Sequence, residues 1–134
     1  MFPFTDPRET ADRRWLAASG ADTGMLDVRT VLAQGRWAYL WLCGELDIAT
    51  AGSLAGIIDE QFDSGRRIIQ LDLSGLRFID CTGLGTLMHA HNECLAHRGT
   101  LILSHVGPPA ARLLELTGLS EVLFITDKVT APAP

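Results

Sequence analysis

Lysine is nearly missing from this sequence. The chain holds one, Lys128, and its formal net charge is −5. A general nucleic-acid binder displaces counterions with clustered Lys and Arg, so the shortage argues against that class. Arg13–Arg14 and Arg66–Arg67 are short basic pairs that read as solvated caps rather than phosphate tracks. Cysteine is also scarce. Cys43, Cys81 and Cys94 are odd in number and no two are spaced C-x-x-C, which suggests neither a disulfide framework nor a zinc site. Long apolar runs are absent too: the longest, near Ala38–Cys43, is far too short to span a bilayer. Met1–Asp6 lacks the basic start and apolar core of a secretory signal. The expectation is a cytoplasmic protein with no direct membrane insertion, no metal and no cofactor.

What is present suits one globular domain: 134 residues, 47% hydrophobic and 20% charged. A core is feasible at this size without metals or disulfides. Residues 1–24 read as an N-terminal arm, partly ordered around Trp15 and Leu16, with a short amphipathic helix over Arg8–Ala18 as the alternative. Residues 25–126 form the domain and residues 127–134, "DKVTAPAP", a tail. "MLDVRTVLA" and "RWAYLWLCG" predict two antiparallel strands joined by a two-residue turn at Gln34–Gly35. The period then changes. Leu54, Ile57, Ile58 and Phe62 (or Gln61) fall at helical spacing after Thr50, a candidate N-cap, and before Gly65. "RIIQLDL", "TLILSHV" and "EVLFIT" predict strands, while "TGLGTLMHAHNECLAHRG" and "PPAARLLELTG" predict helices. The order β-β-α-β-α-β-α-β implies right-handed crossovers and a mixed four-to-five-stranded sheet packed with three or four helices.

The chemistry concentrates in "FIDCTGLG", Phe78 to Gly85, which follows an apolar run with "SGLR" read as a turn before it. A helix starting near Thr82 makes Asp80 or Cys81 its N-cap, and places free amides and the positive end of the helix dipole at these side chains. A thiol enzyme finds little support. His89 and His91 lie more than two turns from Cys81, and Leu87 occupies the arginine position of a Cys-x5-Arg phosphatase loop. Gly83 and Gly85 do not extend to G-x-G-x-x-G, because Met88 follows, and no G-K-[ST] occurs. The glycines read as allowing the helix start to pack close to the sheet. His89 and His91 face different ways and cannot chelate together. Leu84, Leu87, Met88, His91 and Leu95 make the core stripe, with His91 a satisfied histidine at its margin. Thr82, Thr86, His89, Glu93 and Ala96 form an outer strip beside the junction, the surface best prepared for a partner. Glu45 and Asp47 in "GELD" could pair with Asp80 as hydrolase carboxylates. The simpler reading has Asp47 orienting the start of the first helix.

Three segments in this order, "GELDIATAGSL", "LDLSGLRFIDCTGLGTL" and "VGPPAARLLELTGLSEVLFIT", resemble the STAS domain, above all the stand-alone bacterial anti-sigma factor antagonists. The likeness runs from about Leu26 to Ile125. It implies a non-enzymatic protein, a monomer or weak homodimer, that binds an anti-sigma factor of Ser/Thr-kinase type and so frees a sigma factor. It also implies a partner face with its switch at Asp80, Cys81, Thr82 and Gly83, extended by Gly85, Thr86, His89, Glu45 and Asp47. In the family the kinase phosphorylates the hydroxyl residue directly after the motif's Asp. Here that residue is Cys81, and Thr82 is the adjacent hydroxyl. Three outcomes follow: a permanently unphosphorylated antagonist, phosphorylation at Thr82, or a divergent module with Cys81 as an oxidant sensor. A STAS subunit of a membrane lipid or small-molecule transport system is the alternative. The family's usual final helix is expected to be missing after Ile125.

Overall fold

The computed structural model describes residues 25–127. The expected arm, and the tail from residue 128 on with the question of a final helix, lie outside the described residues. The elements run β1 (Leu26–Gln34), β2 (Trp37–Leu46), α1 (Ala51–Asp63), β3 (Ile68–Ile79), α2 (Cys81–Ala96), β4 (Thr100–Ser104), α3 (Pro108–Thr117), a 3-10 turn (Leu119–Glu121) and β5 (Phe124–Thr126). They form one five-stranded sheet in the order β1-β2-β3-β4-β5. β1 and β2 are antiparallel, and every later pair is parallel. The mixed sheet and its three α-helices match the expected architecture.

Sequential parallel strands joined by right-handed crossovers place every crossover helix on the same face of a sheet. The main core is on that face. Leu40, Leu42 and Leu46 of β2, Ile69, Leu71 and Leu73 of β3, and Leu101 and Leu103 of β4 pack with Leu54, Ile58 and Phe62 of α1, Leu84, Leu87, Ala90 and Cys94 of α2, and Ala110 and Leu114 of α3. Leu95, expected in the α2 core stripe, is 58% exposed, and Ala90 and Cys94 are buried instead. The buried stripe is rotated toward small side chains, which let α2 lie close to the sheet. His91 is half-buried, and its Nδ1 is enclosed without a hydrogen-bond partner, contrary to the expected satisfied histidine.

Three further expectations are corrected. The hairpin turn is Gly35–Arg36, because Gln34 still pairs with Trp37; Gly35 takes the positive φ of 58° that this turn demands. "SGLR" is no turn, since β3 runs through it to Ile79. The register with β2 slips between Trp41 and Cys43 and again between Gly44 and Glu45, so the strand absorbs extra residues as bulges. Asp72 braces the first slip by accepting a 2.8 Å bond from the Ser74 amide. Finally, only Phe124–Thr126 of "EVLFIT" is strand, after the 3-10 turn has set buried Leu123 into the core.

Candidate functional site

The bulges carry the ends of β2 and β3 to a common edge. Glu45 pairs with Phe78 and Leu46 with Ile79. Ile48 and Cys81 therefore each stand two residues beyond a paired position, one on the loop before α1 and the other at the start of α2.

Asp80 is the N-cap of α2, and Cys81 is the first helical residue. The Gly83 amide donates to Asp80 Oδ1 at 2.9 Å, and the Leu84 amide donates to the Asp80 carbonyl at 2.9 Å. The amides of Cys81 and Thr82 remain as the open donors of the helix end. The Asp80 amide donates to the Leu46 carbonyl at 3.3 Å, which ties the cap to β2. Gly83 completes this junction, because a Cβ there would stand 2.3 Å from the Leu46 carbonyl oxygen. Gly85 differs from the expected close-packing role. It is exposed, and a Cβ would meet nothing within 4 Å. An open helical glycine costs about 0.5–1 kcal/mol against alanine, and nothing inside this fold requires it.

Cys81 and Thr82 are both exposed, as is His89, while Thr86 is half-buried. Thr82, Thr86 and His89 follow one another at helical spacing, and the Thr86 hydroxyl donates to the Thr82 carbonyl at 3.2 Å. On the facing loop the Asp47 Oδ1 accepts from the amides of Ala49 (3.0 Å) and Thr50 (3.2 Å), so Asp47 orients the start of α1. Thr50 holds the N-cap position of α1 without capping it. Its hydroxyl donates back to the Glu45 carbonyl at 2.8 Å and accepts from the Asp47 amide at 3.0 Å. Glu45 lies 3.8 Å from Arg77 in a part-exposed ion pair, of small energetic weight. The carboxylates of Glu45, Asp47 and Asp80 thus each have a local structural partner.

Two residues escaped the sequence reading. Ile48 is 79% exposed and Phe78 is 47% exposed, two large apolar side chains at the end of the sheet where α2 begins. A large aliphatic residue in the loop between "GELD" and the helix was the available signal for Ile48. Phe78 was masked by its place in an apolar run.

Of the thiols, Cys81 alone is exposed among the described residues. Cys94 is fully buried, and burial, with a smaller push from the Glu93 carboxylate, raises its thiol to about 12. His89 lies roughly 12 Å along the helix from Cys81, too far to serve as its base. No group of three His, Cys, Asp or Glu among the described residues could hold a metal ion, and no described helix is long and apolar enough to cross a membrane.

The geometry defines a small α/β domain with helices on one face of a mixed sheet and an open helix start at the carboxyl ends of its central strands. The STAS domain family matches residues 31–131, and the chain belongs to that family. An anti-sigma F factor antagonist of Paenibacillus polymyxa is 32% identical over 87 residues, spanning 64% of this chain and 74% of that protein. An anti-sigma factor antagonist from Mycobacterium paratuberculosis superposes with a TM-score of 0.66 at 22% identity, covering 77% of this chain and 88% of the other. The Bacillus cell fate determinant SpoIIAA in its phosphorylated form superposes with a TM-score of 0.61 at 20% identity, covering 76% and 93%. These two likenesses establish the fold.

Proposed function

We propose that the protein is an anti-sigma factor antagonist acting in the cytoplasm, which docks on a kinase-type anti-sigma factor through the start of α2 and the apolar side chains at that end of the sheet, and so frees a sigma factor. The observation that carries this reading is the joint exposure of Cys81 and Thr82 on a capped helix start, at the same end of the sheet as the exposed apolar side chains of Ile48 and Phe78. The role named for the Paenibacillus polymyxa relative supports it.

The contact divides by chemistry. Ile48 and Phe78 supply apolar area that rewards removal from water. Asp80, Cys81, Thr82, Thr86 and His89, with Glu45 and Asp47 alongside, supply the polar part. Gly85 leaves bare backbone where a partner can approach closely.

Thr82 is the phosphate acceptor. A phosphate there adds about −1.5 to −2 charges next to the Asp80 carboxylate. The two open amides and the helix dipole tolerate this charge, so the fold survives modification. A partner surface closed over the helix start does not tolerate it, through charge repulsion and the cost of desolvating the phosphate. Cys81 fills the position of the family's usual phospho-serine with a thiol that a Ser/Thr kinase does not use. The existence of a phosphorylated form of SpoIIAA, a protein of the same fold, supports control by this modification.

The test is a binding titration against the cognate anti-sigma factor. Ile48→Asp should weaken binding at least about tenfold, or ~1.4 kcal/mol, with the melting temperature within a few degrees of wild type. Equal affinity of Ile48→Asp and Phe78→Ser with wild type would remove this face from the interaction.

A further inference from the structure

The end of the sheet opposite the start of α2 gathers arginine. Parallel register sets Trp37, Ile68 and Thr100, the first residues of β2, β3 and β4, side by side. The connections just before them hold Arg36, Arg66–Arg67 and Arg98, four of the seven arginines among the described residues. Backbone bonds lock these connections together. The Arg67 and Ile68 amides donate to the Arg36 carbonyl at 2.6 and 2.8 Å, and the Thr100 amide donates to the Arg67 carbonyl at 2.8 Å. A Cβ on Gly99 would stand 2.0 Å from the Arg67 carbonyl oxygen, so glycine there lets the third connection close in. Adjacent strands lie about 4.8 Å apart, so the three connections span roughly 10 Å of backbone.

The fold does not consume this charge. Among the described residues no carboxylate lies within 4 Å of the four guanidiniums. Asp63 is the one acid within two residues of these connections. The carboxyl ends of α1 and α2 add roughly −0.5 charge each, which leaves a local surplus of about two positive charges. Arg67 caps α1, its Nη1 donating to the Phe62 carbonyl at 3.1 Å. Arg66 is half-buried; its Nη1 donates to the Gly35 carbonyl, and its enclosed Nε has no acceptor. Arg36 and Arg98 are exposed. Arg98 also sits at a φ of 59°, in the left-handed region that favours glycine. The fold gains no ion pair from arginine there, and a side chain held against the backbone's preference points to a use outside the fold.

We propose that this end of the sheet binds a small ligand bearing closely linked phosphate groups, an oligophosphate. Guanidinium forks take phosphate oxygens two at a time. Carboxylates one turn apart on a peptide helix are separated by about 5–6 Å, and those on one face of a strand by about 6.6 Å. Linked phosphates lie closer together and match charge concentrated over neighbouring strand ends. The net charge of −5 repels a large polyanion such as nucleic acid or an anionic membrane, whereas a small ligand meets mainly the local surplus. β2 separates this site from the switch by about 30 Å, so oligophosphate and anti-sigma factor use separate surfaces.

The test is isothermal titration calorimetry of the full chain with tripolyphosphate, at about 0.15 M salt to suppress diffuse attraction. The wild type should bind tripolyphosphate at least about tenfold more tightly than orthophosphate. Arg98→Gly should weaken binding at least about tenfold while keeping or raising the melting temperature, because glycine suits the left-handed backbone. Arg36→Gln, on the exposed turn, should weaken it likewise and decides the matter should Arg98→Gly fail to fold. Arg112→Gln, at an exposed position of α3, should leave affinity unchanged. No binding by the wild type, or wild-type affinity in both Arg98→Gly and Arg36→Gln, overturns the proposal. Equal losses in all three variants overturn it too, since they mark a diffuse charge effect. Cosedimentation with phosphatidylglycerol vesicles in the absence of tripolyphosphate binding, or tighter binding of hexaglutamate than of tripolyphosphate, overturns it in favour of a membrane or an acidic peptide.

Discussion

Alanine at Gly83 and alanine at Gly85 should move stability in opposite directions, although the two glycines are two residues apart on one helix. At Gly83 an added Cβ would stand 2.3 Å from the Leu46 carbonyl oxygen, 2.8 Å from Leu46 Cγ and 2.9 Å from the Leu46 carbonyl carbon. Two of these atoms are backbone of a buried strand and cannot swing aside. The helix start must retreat by about 0.7 Å to bring the shortest contact to 3.0 Å, the lower limit of real Cβ contacts. That retreat pulls on the Asp80 amide to Leu46 carbonyl bond and on the Asp80–Gly83 cap. Overpacking of this kind costs ~1–3 kcal/mol, and a lost cap adds about 1 kcal/mol. The helix preference of alanine returns up to ~1 kcal/mol. Gly83→Ala should therefore lose about 1–3 kcal/mol. At Gly85 the new methyl meets nothing, and only the helix preference acts, so Gly85→Ala should gain about 0.5–1 kcal/mol. Thermal unfolding followed by circular dichroism resolves the two, because 1 kcal/mol moves the midpoint by roughly 4 °C or more in a domain of this size. Wild-type stability in Gly83→Ala, or a loss in Gly85→Ala, would refute the packing argument at this junction. A Gly85→Ala protein that is more stable yet binds its anti-sigma factor about tenfold more weakly would show that the bare backbone is kept for the partner.

Asp80→Ala should cost about 1 kcal/mol, measured by urea unfolding, because the Gly83 amide loses its acceptor. Cys81→Ser should turn the first helical position into a phosphate acceptor, so that incubation with the cognate kinase and ATP yields a phosphoserine at position 81 that the wild type cannot form; phosphosite mapping reads it. The Cys94 thiol, raised by burial from an ordinary 9.0 to about 12, ionises in the unfolded chain before the folded one. Between those values the unfolded state holds fewer protons, so stability is complete below about pH 9 and falls on the way to about pH 12, by up to ~1.4 kcal/mol per pH unit. Urea unfolding at about pH 8 and about pH 10.5 should show a smaller decline for Cys94→Ala than for wild type, and an identical decline would exclude the thiol as the cause.

The order of elements was legible because hydrophobic periodicity switches cleanly between "RWAYLWLCG" and "TAGSLAGIIDEQFDSG". The errors lie where tertiary contacts override local cues. Ser74–Gly75 looks like a turn, but the sheet retains it as a bulge: a Cβ on Gly75 would approach the Leu42 carbonyl oxygen to 2.5 Å, so the glycine marks close strand pairing instead. Spacing alone puts Leu95 in the core, while the helix settles on Ala90 and Cys94 because small residues allow a closer approach. In the site, the cap at Asp80 followed from residue type and position. The roles of Ile48 and Gly85 did not, since exposure is set by neighbours distant in sequence. The burial of β2 was visible as an unbroken run of apolar and aromatic residues.

The most direct measurement of the switch is recovery of the partner from a cell lysate on immobilised wild type and on Thr82→Glu, quantified by mass spectrometry. Wild type should retain a kinase-type anti-sigma factor, Thr82→Glu should retain at least about tenfold less at unchanged thermal stability, and part of the protein isolated from cells should carry phosphate on Thr82. Equal recovery on both, or retention of a transporter ATPase subunit in place of an anti-sigma factor, would contradict the assignment of the helix start as the partner switch.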